Sequence, residues 1–102
     1  MKVKIPFKPY FEESMLNGAK RATSRTKKFG NVGDTFGAFG VLFELTGISQ
    51  STLLNVAENY WREEGCGSQS NFESIWKSIY PNKGFVPDQA VWVHWFKSKE
   101  GK

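Results

Sequence analysis

Val3, Ile5 and Phe7 alternate with Lys2, Lys4 and Pro6, a period of two that predicts a half-buried opening strand, which Pro9 ends. From residue 9 to 17 the spacing turns helical. Tyr10, Phe11, Met15 and Leu16, with Ser14 among them, predict a short helix, and Gly18 suits its left-handed cap. Residues 22–26 are β-compatible, and 29–34, with Gly30 and Gly33, read as a turn. The stretch 35–48 is rich in Phe, Val and Leu and holds no Pro, so it forms either one strand bending at Gly37 and Gly40 or a hairpin. Ser51 or Thr52 can cap a helix over 53–63, where Leu53, Leu54, Val56, Ala57, Tyr60 and Trp61 make one apolar face before Gly65 and Gly67 stop it. A further helix, capped by Ser70 or Asn71, runs through Tyr80 with Phe72, Ile75, Trp76 and Ile79 as its stripe; Pro81 ends it. In the last strand, 90–96, Val91, Val93 and Trp95 face one way and Trp92, His94 and Phe96 the other. Both faces are apolar, which makes this strand central. Strands at both ends of the chain with helices between them predict an α+β fold, a small barrel-like sheet with flanking helices.

Composition narrows the class. No repeat or linker divides the 102 residues, and 39% of them are hydrophobic, enough to build a core, so a single domain over 1–102 is expected rather than a disordered chain. The apolar runs are only a few residues long, far below the roughly 20 a membrane span needs, and the opening MKVKIPFKP has no apolar leader. Cys66 has no second cysteine to pair with and no Asn-x-Ser/Thr site occurs, so a reducing, cytoplasmic setting is the expectation.

The net charge of +4 is unevenly placed. Residues 1–30 carry eight Lys or Arg against Glu12 and Glu13, and Lys20, Arg21, Arg25, Lys27 and Lys28 fall within nine residues that hold no acid. Such a run is either a solvated basic loop or the footprint of an anionic partner.

Candidate chemistry gathers in the same segment, Gly18-Ala19-Lys20-Arg21-Ala22-Thr23-Ser24-Arg25. On a strand Thr23 and Arg25 share a face, and the flexible stem of Lys20 can swing over it. A lysine whose pKa is lowered by burial and by neighbouring arginines can act as a general base toward a threonine hydroxyl. Glu63 and Glu64 are the candidate acids, with solvated helix-end charges as the alternative, and Asp34 reads as a turn residue. His94, the sole histidine, lies in an apolar strand and reads as a packed core residue. With no second His and no cysteine pair, no zinc site is expected. Cys66 lacks a partner histidine nearby, and Gly30-x-x-Gly33 and Gly37-x-x-Gly40 do not have phosphate-loop spacing, so no cofactor is expected either. The aromatic share is high, 16%, with Trp61, Trp76, Trp92 and Trp95 among them. Most belong to the core, and one or two beside the basic segment could stack on a nucleobase.

The G-x-K-x-x-T-x-R segment at 18–25, the Gly30-x-x-Gly33-Asp34 turn, Glu63-Glu64-Gly65, the SNFESIW helix and the closing VWVHWF strand together resemble the ASCH domain family of the PUA-like superfamily. The resemblance covers nearly the whole chain. It implies a small PUA-like β-barrel with a cleft lined by these residues. Small bacterial members similar to this chain hydrolyse the acetyl amide of N4-acetylcytidine with a Lys, a Thr and a Glu. Carried over, Lys20 would activate Thr23 for attack on the acetyl carbonyl. Glu64, with Glu63 as the alternative, would shuttle a proton. Arg21, Arg25, Glu63, Lys27 and Lys28 would contact substrate. Other members of the family are ribonucleases or RNA-binding modules, so the partner implied is a modified nucleoside or single-stranded RNA.

Overall fold

The computed structural model describes residues 1–99; the last three positions of the expected domain lie outside the described residues. A 3-10 turn, Pro9–Phe11, runs directly into helix α1, Glu12–Leu16. Strands β1, Ala22–Arg25, β2, Thr35–Ala38, and β3, Val41–Thr52, follow. Helices α2, Leu53–Asn59, and α3, Gln69–Ile79, then precede the closing strand β4, Ala90–Ser98. The four strands form one antiparallel sheet in the order β1-β4-β3-β2, curled into a half-barrel. The fold is α+β.

β4 is interior, with β1 on one side and β3 on the other, as its two apolar faces require. Val91 and Val93 on one face join Ala22, Leu53, Val56 and Ala57 with Phe72 and Trp76 of α3 in one core. Phe96 on the other face joins Ile5, Phe11, Met15, Phe36, Phe43 and Leu45 in a second. The two cores anchor α2 and α3 on one side of the strand and the amino-terminal segment on the other.

Several elements differ from expectation, each for a local reason. The opening alternation makes no strand: Lys2 forms a single parallel bridge to Thr35, with Val3 N–H donating to Thr35 O at 2.7 Å. Pro6 has no N–H to extend a ladder, yet Ile5 is buried and Val3 and Phe7 pack against the second core, so the alternation reflects burial without pairing. Between 35 and 52 the chain makes a hairpin, not a bent strand. Ala38 pairs with Val41, and Phe39 and Gly40, with φ of 53° and 79°, form the two-residue turn whose twist matches a hairpin. Gly37 stays within β2 opposite Leu42, and the bend in β3 is a bulge between Leu45 and Gly47. Helix α2, capped by the Thr52 hydroxyl, stops at Asn59 instead of reaching 63. Past it, the Glu63 carbonyl accepts from Arg21 N–H and Ala22 N–H at 2.7 and 2.9 Å, so the chain beyond the helix is held by tertiary bonds to the start of β1. Ser68, two residues before the earlier of the two expected caps, caps α3 by accepting from Asn71 N–H at 3.0 Å. Among the described residues no helix is long and apolar enough to cross a membrane.

Candidate active site

β1 is an edge strand. Its inner edge pairs with β4, and its outer edge meets the turn that follows α2. That turn comes close because residue 65 is glycine: with φ of +84°, a Cβ there would sit 2.8 Å from Lys20 Cβ and 3.1 Å from Ser14 Oγ. Only glycine tolerates both the backbone angle and the contact. The approach places Glu64 against Lys20 at the floor of a cavity of about 470 Å³, a size usual for small-molecule sites.

Lys20, 2% exposed, and Glu64, 5% exposed, are the charged residues of the buried set. Lys20 Nζ donates to Ala22 O at 2.9 Å and to Glu64 O at 2.6 Å, lies 3.5 Å from Glu64 Oε1, and sits 4.2 Å from the centre of the Phe11 ring. The other carboxylate oxygen, Oε2, accepts from Ser24 Oγ at 2.6 Å. Burial pushes the Lys20 pKa below its ordinary value, against the opposing pull of the Glu64 charge. Burial also pushes the Glu64 pKa up, against the pull of Lys20 and the Ser24 hydrogen bond. The two affinities for a proton thus approach one another, and a proton passes between the groups at lower cost than in water.

Beside this pair, Thr23 is 4% exposed, and its Oγ1 accepts from Arg25 Nε at 3.0 Å. Arg25 is fixed in turn by the bond from Nη2 to Pro6 O at 2.7 Å and by the Phe7 ring 5.0 Å away. Among the described residues no hydrogen bond joins Lys20 to Thr23; the hydroxyl that touches the acid is that of Ser24. Behind Thr23, His94 is fully buried. Its Nε2 accepts from Phe29 N–H at 2.9 Å, and its Nδ1 lies 3.1 Å from Thr23 O. Those partners require the neutral tautomer with the proton on Nδ1, and burial lowers its pKa further from charging. His94 is a packed core residue that ties a loop to the sheet. Cys66 lines the cavity, but burial pushes its thiol up to about 11, so it stays protonated and a poor nucleophile.

The cavity brings together Lys20, Thr23, Glu64, Arg25 and Lys27. It does not receive Arg21, Glu63 or Lys28. Arg21 and Glu63 pair with each other at 3.3 Å on the outer surface, because each is the sequence neighbour of a residue that turns inward. Lys28 bonds Asn31 Oδ1 at 3.0 Å and stands 5.9 Å from the Trp92 ring. The lining also includes residues that sequence reasoning passed over: Ser24, Lys8, and the rings of Phe7, Phe11 and Phe29. The signal for Ser24 was its position in β1 next to Thr23. Alternation assigns the two to opposite faces, but an edge strand lets one cavity wrap its rim and meet both. Trp76, Phe72 and Ile75 of α3 form the apolar wall, whereas Trp61 and Trp95 pack against the first core. Among the described residues no group of three or more His, Cys, Asp or Glu side chains gathers as metal ligands.

No family model matches the sequence, and no curated protein matches it. The fold does occur among solved structures. It is similar to the ASCH domain from Lactobacillus crispatus JV V101, with a TM-score of 0.67 and 18% identity over 95% of this chain and 77% of that one. It is similar to the hypothetical protein PH0355, with a TM-score of 0.73 and 15% identity over 96% of this chain and 99% of that one. It is also similar to protein EF3133 from Enterococcus faecalis V583, described by the family model DUF984, with a TM-score of 0.64 and 17% identity over 88% and 70% of the two chains. The chain has an ASCH-like fold.

Proposed function

We propose that the protein is an amidohydrolase that removes the acetyl group from an N4-acetylcytidine-type nucleoside, releasing cytidine and acetate. The observation that carries this reading is the buried Lys20–Glu64 pair on the cavity floor, adjoining the Thr23 hydroxyl and walled by aromatic rings. Amide hydrolysis needs a nucleophile, a base for its proton, and an acid for a poor leaving nitrogen. In its neutral form Lys20 takes the proton of Thr23 as Oγ1 attacks the acetyl carbonyl. In this structure the amine is held by Ala22 O, which it releases to reach the hydroxyl of the next residue. Glu64 gives its proton to N4 as the C–N bond breaks and cytidine leaves, and the proton taken from Thr23 then passes from Lys20 to Glu64, which restores the pair. Water then attacks the acetyl ester on Thr23 and gives a proton to Lys20, which hands it to Oγ1 as the C–Oγ1 bond breaks; the acetic acid so formed departs as acetate, its proton lost to solvent. Arg25, already donating to Thr23 Oγ1, lowers the cost of negative charge on that oxygen and stabilises the tetrahedral intermediate.

Incubation of purified protein with N4-acetylcytidine, followed by chromatography, tests this reading. Cytidine should appear with the unaltered protein, and turnover should fall by roughly 10²–10⁴ in Lys20→Ala and in Glu64→Gln. Turnover that survives in Thr23→Val removes Thr23 as the nucleophile. No cytidine under any condition removes the amidohydrolase reading.

The cavity mouth favours one second reading, a site for single-stranded RNA. Lys8, Arg25 and Lys27 line it, and Lys28 with Trp92 continues the basic, aromatic surface beyond. Cleavage or retention of a labelled single strand, without release of cytidine from the nucleoside, selects this reading.

A further inference from the structure

Ser24 stands outside the Lys–Thr–Glu set, yet its hydroxyl makes the shortest side-chain contact to the buried acid, 2.6 Å from Oγ to Glu64 Oε2. Both residues are more than nine-tenths buried, at 6% and 5% exposure, and both line the cavity. The two carboxylate oxygens therefore have different duties. Oε2 is engaged as acceptor by Ser24, and Oε1 faces Lys20 Nζ at 3.5 Å. We infer that Ser24 is a positioning residue: its hydroxyl holds Oε2 and leaves Oε1 as the oxygen that exchanges a proton with Lys20. The inference rests on the hydrolytic reading of the site and names a residue that sets its proton inventory.

A hydroxyl that donates to a carboxylate stabilises the charged form. Without it, Glu64 binds its proton more tightly, and the carboxyl is free to rotate either oxygen toward Lys20. The pair is active when it holds one proton. With two it has no base, and with none it has no acid, so turnover against pH is bell-shaped with midpoints that belong to the pair. Removal of the Ser24 hydroxyl should move the acid limb to higher pH, by about one unit. The other titratable or charged groups around Glu64 are Lys20, which precedes β1, Arg25 from β1, Cys66 from the turn after α2, and three that line the same cavity: Tyr80, which closes α3, Lys8 from before the 3-10 turn and Lys27 from after β1. The residues that α3 contributes to that cavity are Phe72, Ile75, Trp76 and Ile79, none of them charged. None of these groups is changed by a substitution at Ser24.

The experiment follows the Glu64 carboxyl by ¹³C NMR through a pH titration, with its signal assigned by loss in Glu64→Gln, alongside the pH profile of N4-acetylcytidine turnover. In Ser24→Ala the carboxyl midpoint and the acid limb should both rise by about one unit, while Ser24→Thr, which keeps a hydroxyl, should restore both. Circular dichroism confirms the fold of each variant, and if Ser24→Ala does not fold, Ser24→Cys, a weaker donor, should give a smaller shift in the same direction. An unchanged carboxyl midpoint in a folded variant without the hydroxyl overturns the inference, whatever happens to turnover. A shifted midpoint in a protein that never releases cytidine overturns the hydrolytic reading and leaves the hold of Ser24 on Glu64 established.

Discussion

Two backbone carbonyls accept from Lys20 Nζ and one carboxylate oxygen faces it at 3.5 Å, and keeping this pair out of water costs stability. Buried ion pairs are expensive to desolvate, and loss of one partner strands the other, at about 3–5 kcal/mol. Lys20→Met and Glu64→Gln should therefore each destabilise the fold by about 3 kcal/mol, at the low end of that range because the surviving partner can neutralise itself. The double variant should lose markedly less than the two losses combined. Urea denaturation of the four proteins closes this cycle, and additive losses would show that the pair is not coupled. Gly65 is the second residue on which the site depends. Gly65→Ala meets a left-handed backbone angle and a 2.8 Å clash with Lys20 Cβ, so a loss of at least about 1–2 kcal/mol is expected. Displacement of Lys20 should lower turnover along with it. Normal turnover in this variant would mean that the turn can retreat without disturbing the floor.

Among the elements, the link between β4 and the loop after β1 turns on one imidazole. His94 receives a hydrogen bond from Phe29 N–H and faces Thr23 O, on the strand neighbouring its own, and it does so only while neutral. Its folded pKa lies below the ordinary value, so as pH falls below about 6.5 the unfolded chain takes up a proton that the folded chain refuses. Stability from this group is intact above that pH and is lost as pH falls toward the folded pKa, where the loss levels off. Glu64, whose folded pKa is raised, acts in the opposite sense at acid pH, because there the folded chain binds the extra proton. The difference between unaltered protein and His94→Gln isolates the histidine, and that difference should shrink as pH is lowered from 7 to 5. A pH-independent difference would mean that His94 charges equally in both states.

The same scale shows how much the sequence could disclose. The alternation of β4 located the central strand and both cores because burial on two faces leaves a mark on every residue. The G-x-K-x-x-T-x-R spacing likewise brought Lys20, Thr23 and Arg25 to one cavity, since all three lie on one short run of chain. Glu64 and Glu63 could not be told apart by periodicity. What separates them is the Glu63 carbonyl bonding two N–H groups at the start of β1, a contact across more than 40 residues that rotates one carboxylate inward and the other to Arg21 at the surface. Ser24 was illegible for a related reason: strand alternation describes the faces of a sheet, and this cavity sits on an edge.

Over the whole molecule, charge is distributed to match the cavity. The first 30 residues hold most of the basic groups, and the remainder is slightly acidic in balance. The fold brings Lys8, from before the 3-10 turn, and Lys27, from after β1, to one cavity mouth. Two exposed ammonium groups at the entrance to an aromatic-walled space attract a phosphate chain strongly and an uncharged nucleoside hardly at all. Salt therefore separates the two ligand classes. Affinity for a single strand should fall linearly in log–log form with salt, and Lys8→Ala combined with Lys27→Ala should make that slope shallower by about 1.4 if both lysines contact phosphates, since each such contact contributes about 0.7. For N4-acetylcytidine, KM should be nearly flat across the same range and change little in the double variant, because the nucleoside has no phosphate. Filter binding and steady-state kinetics over a salt series measure the two slopes. A steep RNA slope that does not respond to the double variant would place the strand elsewhere on the basic surface, toward Lys28 and Trp92. A weak, salt-insensitive interaction with RNA would leave the cavity to the nucleoside.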